Sequence, residues 1–145
     1  MAAAWPERLR RGVTMAVPPP ATIRAMLGDP AQLRRFLYMF LFQVPGVAEA
    51  ALAANALRIH RGNVDTSPHD PALAPLAEKT ETLAPIPLLV LAADDDGCIP
   101  PGHFTGAERG LAPGSRVQTV AEAGHFTHLD RPDEIARLAL EWFGT

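Results

Sequence analysis

Two short turns carry the residue types from which a proton-transfer site is built. Asp94-Asp95-Asp96-Gly97 supplies carboxylates, and Gly124-His125 supplies an imidazole. A histidine acting as general base needs a single tautomer. A carboxylate that accepts the Nδ1 proton fixes that tautomer and steadies the imidazolium formed when the ring takes up a proton. Gly124 beside His125 permits a tight turn and lets other groups approach the ring. Singly, each residue has a plainer reading. Aspartates favour turns because their side chains bond the local backbone, and a lone histidine is commonly structural. Together they argue for chemistry, with Asp94 and Asp95 read as solvated turn residues. His128 could join His125 on a metal, but no cysteine or carboxylate cluster completes a ligand set, so no metal and no other cofactor is expected.

The elements that must position these turns are short. Leu88 to Ala92 is an apolar run that stops at the aspartates, and Val117 to Ala123 is one that stops at Gly124-His125. A helix-sized gap separates them, which predicts a βαβ unit with parallel strands and an α/β fold. In such sheets chemistry sits in the turns after the carboxyl ends of the strands. Pro100 onward predicts a loose helix near His103 to Leu111. The clearest periodic element is the last: Ile135, Leu138, Ala139, Trp142 and Phe143 share one helical face. Asp130 reads as its N-cap, with Pro132, Asp133 and Glu134 suited to the first turn. Upstream, Gly12 to Val17 reads as a strand closed by Pro18-Pro19-Pro20. Asp29-Pro30 opens a helix whose apolar run, from Ala31 to Gln43, ends at Pro45-Gly46. Ala48 to Arg61 reads as another helix, and Gly62 to Pro87 as a polar linker.

The stretches DDDGCIPP (94–101) and AGHFTHLDRPDEIARL (123–138) resemble the last third of α/β-hydrolases, nearest their epoxide-hydrolase-like branch. The resemblance implies a partial α/β-hydrolase fold: about three parallel strands with flanking helices plus a helical cap. It divides the chain into a core piece at 1–17 (the family's strand 6), a helical cap and linker at 18–83, and a core at 84–145 (strands 7 and 8). In that family the acid follows a Gly-x-x-Asp pattern and the base lies in Gly-His-Phe. Asp96 then stands as the acid, with Ala93 where the family has glycine, and His125 as the base. The segment YMFLFQVPGVAEA (38–50) resembles the first cap helix of epoxide hydrolases. Tyr38 occupies the slot of a tyrosine that donates its phenolic proton to the epoxide oxygen. A neutral O–H can hydrogen-bond a developing alkoxide in this way. Epoxide hydrolases use a second cap tyrosine as well, and Tyr38 is the only tyrosine here. A small hydrophobic molecule in the family's pocket is the implied substrate.

An acid and a base need something to activate. The family's nucleophile sits on a sharp strand–turn–helix elbow, and neither serine fits one. Ser67 lies in Thr-Ser-Pro-His and Ser115 in Pro-Gly-Ser-Arg, while Cys98 reads as a small packing residue. The family's oxyanion loop is missing too. The expectation is therefore a truncated hydrolase, the carboxyl-terminal half, whose Asp-His pair would activate water or a nucleophile and which is inactive as an isolated chain. The alternative is a non-catalytic remnant acting as a binding or interaction module. Either way the edge at Val13 to Val17 would offer unpaired backbone for self-association.

Composition bounds the rest. With 145 residues, 48% of them hydrophobic, the chain can bury one ordinary core. Its net charge of −3 and lack of a basic block give nucleic acid no footing. A single cysteine forms no internal disulfide, the start lacks an apolar signal core, and no run reaches the roughly 20 apolar residues of a membrane span. No membrane partner and a cytoplasmic location are expected.

Overall fold

The computed structural model describes residues 5–37, 70–73, 75–76, 79 and 85–144. Its centre is β2, Leu88–Ala93, with every residue from Leu89 to Ala93 buried. A strand buried on both faces reads as a continuous apolar run without alternation, and Leu-Leu-Val-Leu-Ala-Ala is such a run. β1 (Gly12–Met15) pairs with one edge and β3 (Arg116–Val120) with the other, both parallel to β2. In register, Leu91 lies opposite Met15 on one side and Gln118 on the other. The parallel α/β arrangement is the one expected.

Side-chain alternation sends β2 into two cores. Leu89, Leu91 and Ala93 pack with Val120, Ile135, Leu138 and Trp142, beneath the final helix. Val90 and Ala92 face Met26, Ile99 and Phe104 on the opposite side. Met26 ends α1 (Pro20–Met26), a helix not anticipated from the sequence. The triple proline that closes β1 also starts α1, because proline's fixed φ suits the first helical turn. α2 (Pro30–Arg35) begins where expected: the Asp29 carboxylate accepts from the Ala31 N–H at 2.8 Å.

Several boundaries differ from expectation, each for a local backbone reason. β1 stops at Met15 because Ala16 is left-handed (φ 53), and β3 stops at Val120, two residues before Glu122 (φ 52). In place of a helix over 103–111, two 3-10 turns, Pro101–Phe104 and Ala107–Gly110, flank Gly106, whose φ of 73 forbids continuous helix. α3 (Thr127–Asp130) is a single turn leading to α4 (Pro132–Phe143). Ile135, Leu138 and Trp142 of α4 are buried as predicted, whereas Phe143 is half exposed at the margin of the stripe. Asp130 does not cap α4, whose first turn has no side-chain cap. Ser115, read as a surface-loop residue, fastens β2: its hydroxyl accepts from the Leu88 N–H and donates to the Ala112 carbonyl. Among the described residues no helix is long and apolar enough to cross a membrane.

Because Leu91 is completely buried in the strand that supports both cores, Leu91→Ala is expected to cost about 2–5 kcal/mol. Urea unfolding followed by tryptophan fluorescence measures this as a lower midpoint with an unchanged slope.

Candidate active site

Parallel pairing of β2 and β3 brings their carboxyl ends side by side, and the two sequence-predicted turns meet there. Residues Asp94 to Gly97 follow β2 directly. The Asp94 N–H donates to the Val120 carbonyl at 3.1 Å and the Asp95 N–H to that of Ala123 at 3.0 Å. These bonds carry the ladder past the end of the sheet. Glu122, in its left-handed conformation, reverses the chain so that Ala123 can face the acid turn. The Asp94 side chain completes the link by accepting from the Ala123 N–H. Asp94 is thus a bridge between turns and not merely solvated, a correction to the sequence reading. The Ala123 and Glu122 backbone donors, in that order, hold its carboxyl below the usual aspartate range.

Asp96 points inward. Its side chain is fully buried. One oxygen, Oδ1, accepts from the backbone N–H groups of Cys98 and Ile99, each at 2.8 Å. The other, Oδ2, lies 2.9 Å from Nδ1 of His125. A carboxylate withdrawn from water needs such donors, and here the backbone of its own turn and one imidazole provide them. His125 is about one-third exposed. With Nδ1 carrying the proton toward Asp96, the Nε2 lone pair is available to accept another. No described residue hydrogen-bonds Nε2.

The His125 turn is held from behind as well. The Gly124 N–H donates to Asp130 Oδ2 at 2.8 Å, and a Cβ on Gly124 would meet that oxygen at 3.3 Å. Asp130, expected as a helix cap, therefore secures the His125 turn. Beside the imidazole stands Phe126, edge-on at 5.4 Å between ring centroids and largely exposed. His128 contacts Phe126 and not His125. Tyr38 lies outside the described residues.

A model of the alpha/beta hydrolase family matches residues 1–138. The chain belongs to the alpha/beta hydrolase family. Solved structures of this family share its fold. An epoxide hydrolase from Bacillus megaterium, crystallised with an inhibitor, superposes with a TM-score of 0.65 at 16% identity, over 99% of this chain and 64% of that one. An epoxide hydrolase from metagenomes of hot environments gives 0.67 at 18% identity, covering 98% and 62%. The Bacillus subtilis carboxylesterase gives 0.52 at 14% identity, covering 97% and 53%. This hydrolase-family chain thus spans less than two thirds of the length of these relatives. No curated protein matches it.

A carboxyl held low in the folded state contributes stability above the ordinary aspartate value and loses it as pH falls through its own. Asp94 is such a group, so the stability gap between wild type and Asp94→Asn is expected to narrow in acid. Urea midpoints at neutral pH and below the aspartate range check this.

Proposed function

We propose that this hydrolase-family chain carries the acid and base of an epoxide-hydrolase-like reaction, with His125 as base and Asp96 as its orienting acid. The observation that carries the reading is the 2.9 Å contact of Nδ1 with Oδ2, made by a carboxylate whose other oxygen is already held by two N–H groups. That arrangement leaves Nε2 as the accepting atom. In the proposed step Nε2 takes a proton from water, and the hydroxyl oxygen forms its bond to the electrophilic carbon. The C–O bond of the epoxide, or of an ester formed on a nucleophile, breaks, and its oxygen is protonated as it leaves. Tyr38 is proposed as the donor to that oxygen on the family resemblance. A small hydrophobic substrate suits the exposed Phe126 ring that stands beside the imidazole.

The sequence supplies this base with no recognisable nucleophile. Ser115 is committed to the Leu88 and Ala112 backbone, and Cys98 belongs to the acid turn itself. A positioned base alone is worth about 10²–10⁴-fold, and each absent oxyanion donor forfeits a further ~10²–10³-fold. The isolated chain is therefore expected to be inert toward an activated ester and styrene oxide, with His125→Ala no different. Turnover lost in His125→Ala would mean that a nucleophile is present, Cys98 first among the candidates. Addition of a polypeptide bearing the elbow should restore His125-dependent turnover, provided the two associate. A complex without turnover would favour an interaction module instead. β1 is paired on one side only among the described strands, and self-association through that edge is proposed on the same footing.

Tautomer gives a test that needs no turnover. Nitrogen-15 shifts of the neutral His125 ring are expected to show the proton on Nδ1 in wild type. In Asp96→Asn, where an amide donates instead, the proton is expected on Nε2. An unchanged ring in the variant would remove the basis for the pair.

A further inference from the structure

Gln32, the third residue of α2, is the one residue of that helix that is buried, at 1% exposure. Its Nε2 donates to the Cys98 carbonyl at 2.7 Å, across 66 residues of chain. A carbonyl can only accept, so the amide orientation is fixed by this bond. The other end, Oε1, is buried without a partner among the described residues. A leucine would fill the same space without leaving a buried acceptor unmet, which is the expensive part of such a side chain. Packing alone is thus a poor account of Gln32. Its one bond is the feature to explain.

The carbonyl it holds belongs to the Cys98–Ile99 peptide. The N–H of that same peptide is the Ile99 N–H that donates to Asp96 Oδ1 at 2.8 Å. The described chain has no cis peptide, so C=O and N–H point in opposite directions. Gln32 therefore grips one side of a rigid plane, and Asp96 is held by the other. A continuous path runs from Gln32 Nε2–H to the Cys98 carbonyl, through the Ile99 N–H to Asp96, and on to His125 Nδ1. A donor on the carbonyl polarises the peptide and strengthens its N–H, since linked hydrogen bonds reinforce one another. It also prevents the plane from tilting, which would draw the Ile99 N–H off the carboxylate.

We propose that Gln32 is a positioning residue for the Asp96–His125 pair, acting through the Cys98–Ile99 peptide. This rests on the reading of that pair as acid and base. It adds that α2 helps to set the geometry of the site.

Nuclear magnetic resonance on the full chain tests the proposal with three measurements. In wild type, a coupling through the hydrogen bond from Gln32 Nε2 to the Cys98 carbonyl carbon is expected, and its absence overturns the proposal whatever the variants do. In Gln32→Leu, neutral His125 is expected to shift from the Nδ1–H toward the Nε2–H tautomer. The Ile99 amide should exchange roughly tenfold faster, the scale of one net hydrogen bond, while Leu91 and Val120 amides keep their wild-type rates. Should Gln32→Leu not fold, Gln32→Met carries the same measurements. Asp96→Asn separates the two ways of failing. If it inverts the tautomer while the Gln32 variants leave tautomer and Ile99 exchange untouched, Gln32 has no positioning role and the pair stands. If Asp96→Asn also leaves the tautomer untouched, the pair itself falls and the proposal with it.

Discussion

Withdrawal of β2 from water on both faces is the constraint from which the remaining structure follows. A strand in that position can spare no backbone group, so it needs a neighbour on each edge, and β1 and β3 supply the pairing. Its side chains need cover above and below. α4 provides it on one side, and Met26 of α1 with Phe104 on the other. Even the first N–H of β2 is met by the Ser115 hydroxyl. Parallel pairing then places the ends of β2 and β3 together, and the site is a by-product of that placement. The two turns meet there because the strands had to end there.

The same low-dielectric setting decides which of three consecutive aspartates does what. Asp94 and Asp95 are exposed, and Asp94 uses its carboxylate to tie the turns together. Asp96, one residue further round the turn, is directed into the protein, where a bare charge would be costly. The Cys98 and Ile99 N–H groups and the imidazole meet it there. Identical residue types thus divide into a brace between turns and a buried partner for His125 by direction alone.

Direction is what a sequence conceals. The strands were legible because apolar runs ending in polar turns are written locally. The Asp96–His125 juxtaposition was legible because parallel topology follows from strand–gap–strand order. The capping role of Asp29 was equally local. Asp130 illustrates the limit: by spacing it is a sound N-cap, yet its carboxylate meets the Gly124 N–H, a bond set by the path of the chain through Phe126. The same holds for Asp94, and for Gln32, whose partner lies far along the chain. α1 escaped notice because three prolines advertise a stop more loudly than a start. The left-handed residues Ala16 and Glu122 carry no glycine to announce them. Tyr38 lies where the structure makes no statement.

The bonds joining the two turns bear on how such a chain can change through descent. Asp94 and Asp95 are stitched to Val120 and Ala123, and Asp96 to His125. Asp96 and His125 therefore keep their register through bonds made at the strand ends, not through the length of the segment that connects them. A residue inserted between Thr105 and Gly110, among the 3-10 turns, would lengthen a surface excursion and leave the pair in place. A residue inserted between Val120 and His125 would shift each stitch by one and turn the imidazole away from its carboxylate. Lineages related to this chain should accordingly differ freely in the first interval and hold the second at constant length.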